Sequence, residues 1–301
     1  MGTYIGLDLG GSYIKGALVN TGGEVLAWEK AATQAEQGFR HVLTRMEKMI
    51  SILSRKANPD AVGIGIPGML DIGRSRVLLA PNLGWEDVAL KEELEQFLDI
   101  PVFLDNDANA AALGEWWLGS AQNTDNFLLV TIGTGIGSGM LLEGKLYRGA
   151  CGLAPELGHM TVAVDGPACR CGQKGCLETL VSAPAILRQA RENKLEIPED
   201  GSAKDVFDLA QKGDKIAVGV VAQTMEFLAV GLKNAIVLLE PQLILIGGGI
   251  GDSSGAFLDM LRERIVQLLP VKRNINILQA SLGNRAGALG AACLAFTEGE
   301  Q

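Results

Sequence analysis

The sequence predicts an α/β protein, and three observations predict it. Short apolar strands alternate with helical stretches along most of the 301 residues. Three of those strands end in glycine-rich turns: Gly10-Gly11-Ser12, the run 133–137 with Gly133, Thr134 and Gly135, and Gly247-Gly248-Gly249. Each half of the chain also opens in the same way, as strand, glycine turn, strand. This weak duplication of architecture rather than of sequence suggests two related domains.

Taken in order, residues 4–9 form a strand with Asp8 near its end, and residues 13–19 a second strand beyond the glycine turn. Thr21-Gly22-Gly23 signals a hairpin into a third strand at 24–29. Residues 38–56 carry helical spacing, with Phe39, Val42, Leu43, Met46, Met49, Ile50 and Leu53 on one side. A short apolar strand at 61–66 stops at Pro67-Gly68. A helix is expected at 87–98 with Asp87 as its cap. The strand at 101–104 delivers Asp105-Asn106-Asp107, and an Ala-rich helix covers 108–118. The second half opens with a strand at 127–132, a returning strand at 138–142 and a hairpin tip at 143–145. Beyond residue 178 helices dominate up to Glu240. A buried strand at 243–246, a helix at 254–269, a strand at 275–278 and an Ala-rich helix at 285–296 close the chain.

Composition narrows the function. Apolar residues make up 48%, enough for a sizeable core. The net charge of −9 argues against nucleic acid or an anionic membrane surface as the main partner. Met1 runs straight into a strand-like segment without a basic leader, so no signal peptide is expected. The longest apolar run, 228–250, is interrupted by Lys233, Asn234, Glu240 and Pro241, so no membrane span is expected. Five cysteines, three of them clustered with a histidine, suit a reducing cytoplasm and a metal better than disulfides. Cys151 and Cys293 lie outside the cluster and read as buried small residues.

That cluster is the most informative stretch. Glu156-Leu157-Gly158-His159 precedes a Cys-x-Cys-Gly-x-x-Gly-Cys run ending at Cys176. His159, Cys169, Cys171 and Cys176 have the composition of a closed tetrahedral zinc site. Gly172 and Gly175 let the loop turn back on itself. Glu156 and Glu178 flank the ligands, so a metal there would also fix where the two acids point. An iron–sulfur centre is the alternative, less suited to a histidine ligand.

The glycine turns invite phosphate, because glycine lets backbone N–H groups approach an anion closely. A single turn of this kind reads equally well as a plain hairpin. Three of them, with Ser12 and Thr134 adjacent, favour a nucleotide phosphate site, to which Lys15 could add charge. Neither a dinucleotide fingerprint nor a P-loop is present. Asp8 and Asp107 sit at strand ends, where open α/β sheets place their chemistry. Asp8 beside a phosphate turn suits Mg²⁺, or a plain turn role. Asp107 is either a helix cap or a carboxylate that takes a proton from an attacking hydroxyl. Asp105 reads as buried or paired.

At these motifs the chain resembles the ROK family of sugar kinases, within the hexokinase–actin–heat-shock ATPase superfamily. The likeness covers nearly the whole chain. Residues 8–15 and 129–139 are similar to the family's two phosphate motifs, 105–109 to its catalytic segment, and 245–249 to its adenosine-side turn. Glu156 to His159 with 169–178 is similar to its zinc and sugar motif. The resemblance implies two actin-like (ribonuclease-H-like) domains with an active-site cleft between them, spanning 1–117 plus 286–301 and 118–285. It implies ATP, Mg²⁺ and structural Zn²⁺ as cofactors, a homodimer, and Asp107 as general base. The implied sugar site uses Gly68, Asn82, Asn106, Asp107, Glu156, His159 and Glu178, with His159 serving zinc through one nitrogen and sugar through the other. The implied nucleotide site uses Asp8, Gly10, Gly11, Ser12, Lys15, Gly133, Thr134, Gly135, Gly247, Gly248 and Gly249. One departure is Ala154-Pro155 where the family has Ala-Gly.

The expected activity is ATP-dependent phosphorylation of the 6-hydroxyl of a hexose, with glucose first on the strength of residues 81–85 (Pro-Asn-Leu-Gly-Trp). N-acetylmannosamine, N-acetylglucosamine and fructose remain alternatives, and so does polyphosphate as donor. A sugar-sensing repressor is the rival from another class. It would carry a DNA-binding domain ahead of Asp8, and the acidic charge opposes it. A sugar-binding protein without turnover is the third reading.

Overall fold

The opening strands are short apolar runs joined by tight turns, so they pair with their immediate neighbours. The computed structural model describes residues 2–249 and 255–299. β1 (Thr3–Leu9) pairs antiparallel with β2 (Tyr13–Asn20), and β2 with β3 (Val25–Ala32). α1 (Phe39–Ser54) buries Val42, Leu43, Met46, Met49, Ile50 and Leu53 along one stripe. β4 (Ala61–Ile66), buried throughout, returns parallel to β1. β5 (Met69–Leu70), β6 (Val77–Ala80) and β7 (Trp85–Val88) make a separate antiparallel sheet. After α2 (Leu90–Glu95), β8 (Val102–Asn106) pairs parallel with β4 and leads into α3 (Asp107–Leu118).

The second sheet contains β9 (Phe127–Ile132), β10 (Ile136–Leu142) and β11 (Lys145–Leu146). Helices α4 (Glu178–Val181), α5 (Ala183–Glu192), α6 (Ala203–Gln211) and α7 (Lys215–Leu239) follow. β12 (Leu243–Gly247), α8 (Gly255–Leu268), β13 (Ile277–Gln279) and α9 (Ala286–Gly299) complete the described chain. The two five-stranded sheets have the orders β3-β2-β1-β4-β8 and β11-β10-β9-β12-β13. Each is an antiparallel hairpin edge continued by parallel strands, so the duplication seen in the sequence is one of topology.

Contacts divide the chain into one unit of Met1–Asp125, Gly139–Pro155 and Ser281–Gln301, and a second of Asn126–Ser138 and Glu156–Ala280. The exchange points therefore differ from 117 and 286. Buried Glu115 on α3 gathers the N–H groups of Ser120, Ser281 and Leu282 (2.9, 3.2 and 2.8 Å), which ties 118–125 and 281–285 to the first unit. Arg148 reaches Asp105 and Glu298, which ties in the segment after β10.

α9 explains its own alanines and glycines. A Cβ on Gly6 or Gly63 would collide with the α9 backbone at Ala288 and Ala291, and one on Gly290 with the carbonyl of Ala110 on α3. Small residues let the helix lie directly on β1, β4 and α3, where larger side chains would hold it away.

Three expectations change. Residues 87–98 are not one helix. Asp87 lies in β7, with a φ of 50°, and α2 starts only at Leu90, because pairing with β6 claims 85–88. Cys151 is exposed, since it sits in the loop after β11 rather than in a packed element, whereas Cys293 is buried. The expectation that no apolar run reaches the length of a membrane span does not hold: α7 is long and apolar enough by length and composition, with Glu226 the one charge between Ile216 and Leu232. It buries Leu228, Leu232 and Ile236 against its neighbours. The expected start of α8 at Ser254 lies outside the described residues.

Candidate active site

β1, β4 and β8 run parallel, so their carboxyl ends line up. The register sets Asp8 beside Gly65, and Gly65 beside Asp105. Asp8 is held by Lys15 from the antiparallel neighbour, Nζ to Oδ2 at 2.8 Å, and is pressed by Gly287 of α9, where any Cβ would meet its carboxylate. Lys15 is thus committed to Asp8. The turn is closed by the Gly10 N–H donating to the Tyr13 carbonyl at 2.9 Å, and Ser12 is exposed. Gly11 faces Asn82, since a Cβ on Gly11 would stand 3.0 Å from the Asn82 carbonyl oxygen. One phosphate candidate and one sugar candidate therefore touch.

The three residues of Asp105-Asn106-Asp107 have three different jobs. Asp105 is fully buried; it accepts from the Asn106 N–H (2.7 Å), Asn109 Nδ2 (2.8 Å) and Arg148 Nε (2.6 Å). Asn106 is the N-cap of α3, its Oδ1 accepting from Ala108 and Asn109 N–H, and its Nδ2 donates to the Gly68 carbonyl at 3.3 Å. Asp107 is therefore not the cap but the first helical residue. Its Oδ1 accepts from the Ala108 N–H at 2.9 Å, and the helix N-terminus favours its negative charge. Its Cα lies 3.3 Å from where a Cβ on Gly65 would stand, so the glycine lets the base candidate settle onto the sheet end.

The second unit brings its own candidates together. The turn after β9 is closed by Gly133 N–H to the Gly135 carbonyl (2.9 Å), and the Gly133 carbonyl accepts from Ala183 at the start of α5 (2.9 Å). Glu178 Oε2 accepts from the Ile136 N–H at 3.1 Å, and a Cβ on Gly135 would strike that carboxylate. Thr134 is exposed beside it. Ser138 Oγ accepts from Leu157 N–H at 3.0 Å, and Gly158 lies against the Ile136 carbonyl, seating the Glu156-Leu-Gly-His159 turn on β10. Glu156 keeps solvent contact. Crowding protein atoms nevertheless raise its pKa above the ordinary glutamate value, against the pull of His159 and with the push of Glu178. Gly248, at a φ of 81°, packs on the backbone of Ile132, so Gly247 to Gly249 sit at the same sheet end as Gly133.

The cysteine loop folds back through paired bridges, Thr161 with Cys176 and Ala168 with Lys174. Gly175, at a φ of 66°, passes so close to the Ala163 carbonyl that no side chain fits. The ligand atoms of His159, Cys169, Cys171 and Cys176 all lie within 4.8 Å of one another.

A model of the ROK family matches residues 4–298. The chain belongs to the ROK family. Among its relatives, a glucokinase of Halalkalibacterium halodurans is 36% identical, with 95% of this chain and 93% of that protein covered. A xylose repressor of Caldicellulosiruptor bescii is 32% identical over 98% of this chain and 78% of its own. Among solved structures, a ROK family glucokinase from Streptomyces griseus in complex with glucose and AMPPNP is 34% identical with a TM-score of 0.85, covering 98% and 100% of the two chains. The α/β expectation holds, and the two-domain actin-like fold is that of the ROK sugar kinases.

In this ROK protein the four thiol and imidazole groups fit a metal. Sγ of Cys171 and Cys176 are 3.7 Å apart, as are Cys169 Sγ and His159 Nδ1. A tetrahedral site with zinc–sulfur bonds of about 2.3 Å has sulfur–sulfur edges of about 3.8 Å. The Gln173 backbone, with Cys169, draws the Cys171 thiol down to about 7, whereas burial and the neighbouring thiols push Cys176 up to about 12. Holding all three sulfurs as thiolates at this spacing would need a cation, and a divalent ion would remove that penalty.

Sequence reasoning missed two cations of this ROK chain. Arg148 and Arg74 gather at Asp105, with Arg74 Nη1 at 3.7 Å and Arg74 Nη2 donating to the Gly152 carbonyl at 2.7 Å. Burial works against the Arg148 charge, and Asp105 outweighs it, holding the guanidinium above its usual pKa. The only signal in the sequence was the acid they serve.

Proposed function

We propose that this chain is an ATP-dependent hexose kinase that phosphorylates the 6-hydroxyl of glucose, with Asp107 as general base. The observation that carries the proposal is the seating of Asp107 in the first turn of α3, at the carboxyl end of the parallel strands, with Asn106 capping the helix beneath it. A carboxylate so fixed can take the proton of a hydroxyl as its oxygen attacks the γ-phosphorus in line, with ADP leaving. Kinship with glucokinases supports glucose as the acceptor and ATP as the donor.

Gly68, Asn82, Asn106, Glu156, His159 and Glu178 would address the sugar hydroxyls, each of which donates and accepts. Backbone N–H groups of the turns at 10–12, 133–135 and 247–249 would take the phosphate charge as it spreads. Mg²⁺ bound beside Asp8 would neutralise the phosphates. His159, Cys169, Cys171 and Cys176 would hold a structural Zn²⁺ with no open position, leaving the second imidazole nitrogen for sugar. The reduced thiols suit the cytoplasm, and exposed Val237 and Leu238 on α7 suit a homodimer.

A sugar-responsive regulator is the second reading, favoured by the xylose repressor's 32% identity. Coupled ADP release across hexoses and acetamido-hexoses separates the two. Glucose should give the highest turnover. Sugar binding without ADP release from any of them would overturn the kinase proposal in favour of the regulator.

A further inference from the structure

We propose that Asp105 and Arg148 form a positioning pair that holds residues 106–109, and with them the Asp107 carboxylate, in reactive geometry. The inference rests on the kinase reading for what the geometry is used for, but not for the bracing itself. Asp105 is fully enclosed and both its oxygens are engaged, so it has no access to a substrate proton. Its two inward bonds fall on either side of Asp107. Oδ1 accepts the backbone N–H of Asn106 before it (2.7 Å) and Nδ2 of buried Asn109 after it (2.8 Å). A displacement of Asp105 therefore moves the turn that carries Asp107.

A buried carboxylate stays charged and in place only with a paired cation. Arg148 is that partner, Nε to Oδ2 at 2.6 Å, and its other arm, Nη2, donates to Glu298 on α9 at 2.9 Å. One guanidinium so spans the end of β8 and the closing helix, a fork that a lysine cannot reproduce. Arg74 stands behind it, 3.7 Å from Asp105, and ties down the loop at Gly152. A cavity of about 420 Å³ lies alongside, lined in part by Arg74, Phe103, Arg148 and Glu298. A shorter side chain at 148 leaves room for water there, which lets such a variant fold while the brace is lost.

The test uses the full zinc-loaded chain with Arg148→Gln, Arg148→Lys and Glu298→Gln. Steady-state kinetics with glucose and ATP are combined with hydrogen exchange at the amides of 106–109. Arg148→Gln should lower kcat about tenfold or more while glucose KM stays within about threefold, because the loss is in alignment rather than in sugar binding. The 106–109 amides should exchange about tenfold faster, with the rest of the chain unchanged. Arg148→Lys should recover part of both. Wild-type kcat and unchanged protection in Arg148→Gln would overturn the proposal, as would a uniform loss of protection, which marks scaffold damage. If Arg148→Gln does not fold, Glu298→Gln decides: slower turnover at unchanged KM supports the pair, and wild-type kcat overturns it. If wild-type protein releases no ADP with any hexose, the kinase reading fails by itself, and the exchange arm still decides whether the pair braces the turn.

Discussion

In the first unit, the acid segment 105–107 is held by a helix cap, a buried ion pair and the edge of a packed sheet. In the second, Glu156 and Glu178 stand at either end of a run whose regular structure is one 3-10 turn and two isolated bridges. The first arrangement draws on the core behind it, because β4 is buried throughout and α9 packs on its backbone. The second buries only Leu157, Gly158, Cys169 and residues 175–177 of the run 156–178, and Cys171, Gln173 and Lys174 are exposed. A loop of that kind cannot offset its ordering entropy by burial and needs a cross-link. Each site should therefore be fragile in its own way: the first to loss of one charge partner, the second to loss of the residues that would ligate a metal.

The largest effect is expected at the reacting carboxylate. Asp107→Asn should lower kcat by about 10²–10⁴-fold while glucose binding, read by calorimetry, is retained. Turnover near wild type would remove Asp107 from its role. Next is the metal loop. Cys171→Ser should release zinc, measured by elemental analysis, and weaken glucose binding about tenfold or more, while the 106–109 amides stay protected. Loss of protection in both regions would show that they are not held independently.

Asn106 sharpens the contrast on a smaller scale. Asn106→Ala removes the α3 cap and should cost about 1 kcal/mol in urea unfolding, whereas Asn106→Asp keeps a capping oxygen and should stay within about 0.5 kcal/mol. The smallest effect concerns pH. The raised pKa of Glu156 means that the fold favours its neutral form. That contribution to stability is present below the unfolded pKa and lost as pH rises through the folded one. If Glu156 addresses sugar in its ionised form, as proposed, sugar binding should run the other way, weakening as pH falls through a value above the ordinary 4.5. Glu156→Gln should flatten that limb of the glucose titration, and an unaltered limb would assign it elsewhere.

Much of this was legible beforehand. The stripe of α1 follows helical periodicity, and the three cysteines with His159 announce a ligand set by chemistry alone. Other features were hidden. Lys15 was expected at a phosphate, but strand register sets it opposite Asp8. Asp107 was read either as the cap of α3 or as a base; the cap is Asn106, one residue earlier, because Asp and Asn are equally good caps and only backbone geometry distinguishes them. The small sheet of β5, β6 and β7 was missed because its strands are only two to four residues long and find partners across loops.

What the sequence determined by itself is local or compositional: the strand and helix periodicities, the glycine turns, the Cys₃His set and the acids at strand ends. Short-range sterics and hydrophobic spacing govern these, and they are written into neighbouring residues. Which charges meet is settled by the three-dimensional path of the chain. Asp105 finds Arg148 across 43 positions, and Glu115 clamps Leu282 across 167. Those pairings follow from the order of strands in a sheet and the route of the chain around it. That order is set by the burial of whole faces, and no residue's immediate neighbours record it.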